Sequence, residues 1–243
     1  MQPRIGTRSL ATIASFAAIY AVLSLIPVSR LVGNVSFLTM AEVFSPLAGM
    51  VLGPFEGGLA VLVGTFAAIA MGKPVGFDGL DFIPGVISAV TAGYAMKGHV
   101  KVTTALSVAM YAIFMLDPLS SPAIYVGSVP VPFLWMHMLS LVVFVSLSNI
   151  QKRGAGFASE AVMTTTVVFL STMNAHVAGA VMYENVLVRI NHAFAASSMP
   201  GLWNIIFYAY PIERIFFAAI GSIIAIGVFR AIPPDTIRKL RRG

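Results

Sequence analysis

Eight stretches of this chain are almost unbroken runs of apolar residues, and the polar residues collect in the gaps between them. The runs cover residues 10–28, 37–52, 57–71, 82–96, 102–116, 132–148, 161–182 and 211–229. Runs this long and this apolar predict helices, and their number predicts a polytopic membrane bundle. Several are shorter than the roughly 20 residues that an untilted span needs, so their ends must extend into flanking residues or the bilayer must thin. The expected fold is all-α: one integral membrane domain over residues 1–243, about eight transmembrane helices and no soluble domain. Six or seven crossings are the alternatives.

The basic residues add an orientation. Of the 15 Lys and Arg, most fall in alternate gaps: Arg4 and Arg8, Lys97 and Lys101, Lys152 and Arg153, then Arg230, Arg238, Lys239, Arg241 and Arg242. Only Arg30, Lys73, Arg189 and Arg214 fall in the other set. Membrane insertion retains Lys and Arg on the cytoplasmic side, so both termini of a multi-pass cell-membrane protein are expected in the cytoplasm. Eight crossings keep every basic cluster on that side, and dropping one from the middle breaks the agreement. The composition, 58% hydrophobic and 10% charged, fits spans far better than a soluble domain, which carries about 25% charged residues. The net charge of +6 then points to the anionic inner leaflet of the lipid bilayer as a partner, and not to nucleic acid. The chain has no cysteine, hence no disulfide or thiolate chemistry. The first run is too long for a secretory signal core and lacks a small-x-small cleavage site, so it is expected to persist as a helix.

Small residues recur at four-residue spacing, which lets helix backbones approach closely in lipid. Ala14 and Ala18 share one face of the first helix and Ala17 and Ala21 another. Gly64 and Ala68, Gly85 with Ala89 and Gly93, and Ser171 with Ala175 and Gly179 mark faces of later helices. Pro211 is expected in the first turn of the last helix, with Glu213 near the positive end of its dipole. Ahead of it, Trp203, Phe207, Tyr208 and Tyr210 read as an interfacial aromatic band, with ligand stacking as the alternative.

Depth sorts the polar residues. Glu42, Asp78, Asp81, Trp135, His137, Asn174, His176, Glu184, Arg189, Asn191, His192, Asn204, Glu213 and Arg214 all fall in the outer half or the outer loops. Ionisable groups inside spans are costly and face a cavity or a partner. A pore or proton relay would spread them through the full depth. Their collection at one end predicts an outward-facing pocket, closed by loops near 29–36, 117–131 and 183–204. Candidate ligand residues are Asp78, Asp81, His137, Asn174, His176, Arg189, His192, Trp203, Glu213 and Arg214. Each has a structural alternative: N-terminal capping for the aspartates, bonding between helices for the histidines, an ion pair for Glu213 and Arg214. The outer charges comprise six acids and four bases, so the sign of a ligand is open. No phosphate loop, H-E-x-x-H, G-x-S-x-G or Asp-rich diphosphate motif is present, and the four histidines lack metal-ligand spacing. No cofactor or metal is expected.

The segment Ala41-Glu42-Val43-Phe44-Ser45-Pro46-Leu47-Ala48-Gly49-Met50-Val51-Leu52-Gly53-Pro54 resembles the second helix of substrate-binding (S) components of energy-coupling-factor (ECF) transporters. A Gly-rich third helix follows in that family, as Gly57-Gly58 through Gly64 do here. Gly72-Lys73-Pro74-Val75-Gly76 with Phe82-Ile83-Pro84-Gly85 is similar to the junction into its fourth helix. Tyr210-Pro211-Ile212-Glu213-Arg214 leading to Gly227-Val228-Phe229-Arg230 is similar to its last helix. The resemblance covers about half the chain. It implies a non-enzymatic subunit that binds a vitamin-like small-molecule substrate and pairs with a transmembrane coupling protein and ATPase subunits. Ala14 and Ala18 would occupy the face that meets the coupling protein. Two departures stand out. The family has six spans where eight are read here, and the extra pair, within 102–182, covers positions of several family ligand contacts. Members that bind nickel or cobalt begin Met-His, whereas this chain begins Met1-Gln2.

Uptake of a vitamin-like molecule is thus the leading expectation. A self-sufficient secondary transporter is the runner-up, though no inverted repeat is visible. An intramembrane enzyme acting on lipid or isoprenoid substrates, or an assembly factor, follows behind.

Overall fold

The structure, a computed structural model, describes residues 7–30, 37–152 and 160–233. Arg4, Arg153, the basic tail at 238–242 and most of the expected closing loop at 29–36 lie outside the described residues, as do both termini. Eight α-helices appear among the described residues: α1 (Thr7–Leu23), α2 (Ala41–Leu52), α3 (Pro54–Ala70), α4 (Phe82–Met96), α5 (Val100–Leu116), α6 (Trp135–Lys152), α7 (Glu160–Met182) and α8 (Met199–Ala231). The all-helical bundle expected from the apolar runs is therefore present.

Two short hairpins were not anticipated. β1 (Pro27–Arg30) pairs with β2 (Phe37–Thr39) between α1 and α2, and β3 (Ala123–Val126) pairs with β4 (Val129–Pro132) between α5 and α6. In the second, Val and Tyr favour extended backbone, and Pro130 and Pro132 remove helical donors. Gly127 supplies the positive φ (64°) at the first residue of the two-residue turn, where a type II′ connection requires it.

The last helix differs from expectation. It starts at Met199, with Pro200 in its first turn, and Pro211 lies inside it. At 33 residues it is about 50 Å long, longer than a bilayer's hydrocarbon core. Glu213 and Arg214 therefore sit mid-helix, away from the dipole's positive end. The expected loop at 183–204 is also mostly helical. α7 continues through a π-helical segment, Tyr183–Ile190, and only a short link with one 3₁₀ turn precedes α8.

Backbone proximity builds half of the bundle. A Cβ on Gly49 of α2 would collide with the carbonyl of Ala89 on α4, and one on Gly64 of α3 would lie 2.7 Å from the Ala17 carbonyl oxygen of α1. Of the two small faces on α1, Ala17 and Ala21 pack inward, while Ala14 and Ala18 face outward. The surface is apolar in kind: Ile19, Phe66, Ile113, Val142, Ile212 and Ile223 are each more than 45% exposed. Hydroxyls are inside, with Ser45, Thr65, Thr91, Thr103 and Ser107 fully buried. By length and composition, two segments suffice to cross a membrane, Glu160–Ile190 and Ala196–Ala231; the other apolar helices are shorter.

Candidate functional site

One cavity of about 110 Å³ opens at the end of the bundle where α2, α4 and α8 begin and where α3 and α7 finish. Charged side chains line one part of it: Glu42, Lys73, Asp81, Glu213 and Arg214, joined by Arg30 from β1. Another part is aromatic, formed by Phe37, Phe77, Tyr183, Trp203, Tyr210 and the imidazole of His176. Small residues on α7, Ala175, Gly179 and Ala180, leave the space open.

The aromatic wall is a fixed stack. The His176 ring lies 4.8 Å from Tyr210 at 24° and 5.1 Å from His137 at 20°. Phe133 packs near Tyr210, Trp203 and Phe114, at 5.5, 5.3 and 5.2 Å. Polar atoms lock these rings in place. Trp203 Nε1 donates to the Leu119 carbonyl at 2.7 Å, and Tyr210 Oη to the Phe133 carbonyl at 3.0 Å.

His137 on α6 and His176 on α7 share a hydrogen bond, Nε2 to Nδ1, of 2.9 Å. His137 Nδ1 is buried without a partner. An orphaned acceptor costs less than an orphaned N–H, so the favoured tautomer leaves that nitrogen bare. His137 Nε2 then donates to His176 Nδ1, and His176 keeps its remaining proton on Nε2. His176 lines the cavity, and its Nε2 is not among the buried unpartnered atoms, so this N–H is offered to the cavity. Among the described residues no group of three or more His, Cys, Asp or Glu could hold a metal ion.

Arg214 is the buried charge of the site, 2% exposed. Its guanidinium lies 3.7 Å from Glu42 on α2, 3.9 Å from Glu213 and 5.2 Å from the Phe217 ring centroid. Nε has no hydrogen bond. Glu213 accepts a 2.8 Å bond from Ser29 Oγ, which ties β1 to α8. Asp81 accepts from the amides of Gly76 and Phe77, at 2.8 and 3.0 Å. It thereby folds the α3–α4 connection back on itself and does not cap α4.

Protein-family models, curated proteins and solved structures were compared with the chain. None matches. The site must be read from its own geometry.

Of the ten candidate ligand residues, Asp81, His176, Trp203, Glu213 and Arg214 line the cavity together. His137 stands behind His176. The other four lie elsewhere. Asn174 is buried in the core, donating to Thr91 Oγ1 at 3.1 Å and Ser107 Oγ at 2.8 Å, and so joins α7 to α4 and α5. Arg189 turns away to a two-pronged pair with Asp117, at 2.7 and 2.6 Å. Asp78 and His192 are exposed, each at a left-handed position with φ near 50°, and serve chain reversal. Trp203, Phe207 and Tyr210 are buried in the aromatic wall, so of the expected interfacial band only Tyr208 is exposed.

Cavity residues outside the candidate set include Glu42, Lys73, Arg30, Tyr183 and Tyr210. Glu42 was detectable as the acid in the first turn of α2 at the polar end. Lys73 and Arg30 depend on a loop and a hairpin that no periodicity announces; Tyr183 and Tyr210 lie on helical segments, and Tyr210 belongs to the aromatic group for which ligand stacking is the alternative.

Proposed function

We propose that the chain is a multi-pass membrane protein whose cavity binds a small molecule from outside. It would act as the substrate-binding subunit of an ECF-type uptake system, energised by separate coupling and ATPase subunits. One observation carries this reading: the bundle is apolar outside yet holds a cavity with charged and aromatic walls at the end opposite its basic turns. Soluble proteins rarely expose apolar patches of more than a few hundred Å², whereas a bilayer requires them. At the far end, Lys97 lies in the connection from α4 to α5, Lys101 in the first turn of α5 and Arg230 in the last turn of α8. The positive-inside tendency makes that end cytoplasmic and the cavity outward-facing.

The buried ionisable groups support a receptor over a channel. Among the described residues, the fully buried ones are His137, Glu184 and Arg214, all toward the cavity end. Among the described residues, no buried chain of such groups continues toward the basic end. One feature favours a self-sufficient secondary carrier instead: neither oxygen of buried Glu184 has a hydrogen bond, as in intramembrane acids that move protons.

Purification of the tagged chain from its native membranes, followed by mass spectrometry, tests the leading reading. A coupling protein and ATPases should co-purify. Replacing both Ala14→Leu and Ala18→Leu, on the outward face of α1, should abolish that association and leave ligand binding intact. Uptake by the chain alone in proteoliposomes would transfer the assignment to the carrier.

A further inference from the structure

We infer that the cavity takes a small planar anion, a carboxylate carried on an aromatic or heteroaromatic ring; this rests on the reading of the cavity as a ligand site. The charges lining the cavity divide into those the protein satisfies and those it leaves over. Both Asp81 oxygens accept backbone amides. Glu213 accepts from Ser29 and neighbours Arg214, and Glu42 also lies beside Arg214. All three carboxylates therefore have donors or a counter-ion within the fold.

Two of the three cations do not. Among the described residues, no carboxylate lies within ion-pair distance of Lys73 or Arg30. The adjacent positions 31–36 contain no acid. Among the described residues, the Arg30 guanidinium lies over the Phe37 ring, 5.9 Å from its centroid. The sum of charges is balanced, but the unspent charge is positive. A ligand that completes the site brings an anion to Lys73 and Arg30.

The remaining walls select shape. Tyr183, Trp203 and Tyr210 line the cavity with aromatic rings, which favour a flat aromatic partner. His176 Nε2–H needs an acceptor, because a donor left bare when a ligand displaces water from the cavity costs free energy. A ring nitrogen or carbonyl on the ligand's edge meets that need.

The test uses the full-length protein in lipid nanodiscs, in a Trp135→Phe background that leaves Trp203 as the sole tryptophan reporter. The probes are pyridine-3-carboxylate, quinoline-3-carboxylate, pyridine-3-carboxamide, 3-aminomethylpyridine, benzoate and cyclohexanecarboxylate. Ring carboxylates should quench Trp203 saturably, with the carboxamide and the amine weaker by about tenfold or more, as expected for loss of a charge-assisted contact. Benzoate, which lacks the edge acceptor, and cyclohexanecarboxylate, which lacks the flat ring, should also bind less tightly than pyridine-3-carboxylate. Lys73→Gln should reduce carboxylate affinity by a similar factor, and Lys73→Arg should restore it. Because Lys73 is partly exposed in a connection, neither change threatens folding. Binding of the carboxamide or amine as tightly as the carboxylate overturns the inference and leaves the cavity a ligand site. Absence of quenching by every probe overturns the ring-binding cavity itself.

Discussion

The two halves of the bundle pack by different means. Around α1 to α4 the core sets alanines, Ala41, Ala48, Ala89, Ala92 and Ala95, among larger side chains, Tyr20, Phe44, Leu47, Met50 and Val61. Around α5 to α8 it is built from large ones, Phe114, Phe133, Met173, Trp203, Phe207 and Tyr210. Small residues let backbones touch, so that half has no slack. Rigid rings cannot fill every gap, and most of the buried atoms without hydrogen bonds lie there, His137 Nδ1, Asn174 Oδ1, both Glu184 oxygens and Arg214 Nε, against Ser24 Oγ and Ser88 Oγ in the tight half. The cavity lies along the seam, taking Glu42 and Pro84 from the tight half and its aromatic wall from the other. A scaffold that cannot yield thus supports a surface that can be carved for a ligand.

The strongest challenge to that contrast is a methyl group at Gly49. In Gly49→Ala the new carbon would overlap the Ala89 carbonyl, and backbone cannot step aside as a side chain can. The cost should exceed the ~1–3 kcal/mol usual for overpacking, seen as lost monodisperse protein or a large fall in melting temperature. Gly201→Ala, where nothing lies within 4 Å, should be neutral or slightly stabilising. Similar behaviour of the two variants would refute the close-packed half.

Next in size is Asn174→Ala. It removes the amide that joins α7 to Thr91 and Ser107, at a cost of about 1–3 kcal/mol. Thermal unfolding should register that loss while probe affinity in the cavity stays unchanged. A selective loss of binding would return Asn174 to the ligand site.

Why Asn174 misled, and why the bundle did not, has a common physical basis. Helix number and the paired faces at Ala17 and Ala21 or Gly85 and Ala89 follow from periodicity, which is local and survives in a single sequence. The gathering of polar residues at one end followed from counting spans. Whether a given polar side chain meets the cavity, the core or solvent depends on helix rotation and on partners far along the chain. Ser29 with Glu213 and Asp117 with Arg189 are separated by 184 and 72 positions. Pro211 misled for a related reason. The rule that proline opens helices is local, whereas the twelve aromatic-rich residues before it are held helical by packing against Phe133 and Phe114.

The loose half should tolerate, and even gain from, removal of a polar group. Glu184 is fully buried with both oxygens unpaired, which mutational data put at a cost of about 1–3 kcal/mol. Glu184→Met should therefore raise the melting temperature, by an amount worth about 1 kcal/mol. A fall would mean that the carboxyl has a partner when the protein works, and would favour the carrier over the receptor.

The smallest effect belongs to the outer clasp between Asp117 and Arg189. Burial alone would push the Asp117 carboxyl up, but the Arg189 guanidinium and the Leu119 amide outweigh it and hold the group below its usual value. A carboxyl lowered in the folded state contributes stability above its unfolded value, ~3.9, and loses it as pH falls through the folded value. Arg189 is 38% exposed, so solvent screening limits the pair to about 1 kcal/mol or less. Asp117→Asn should cost that much at neutral pH, and the gap between variant and wild type should close only below about pH 4. Melting temperatures of both proteins, measured stepwise from pH 6 downward, check it. A gap that closes near pH 6 instead would assign the acid sensitivity to another group and leave the clasp a passive contact.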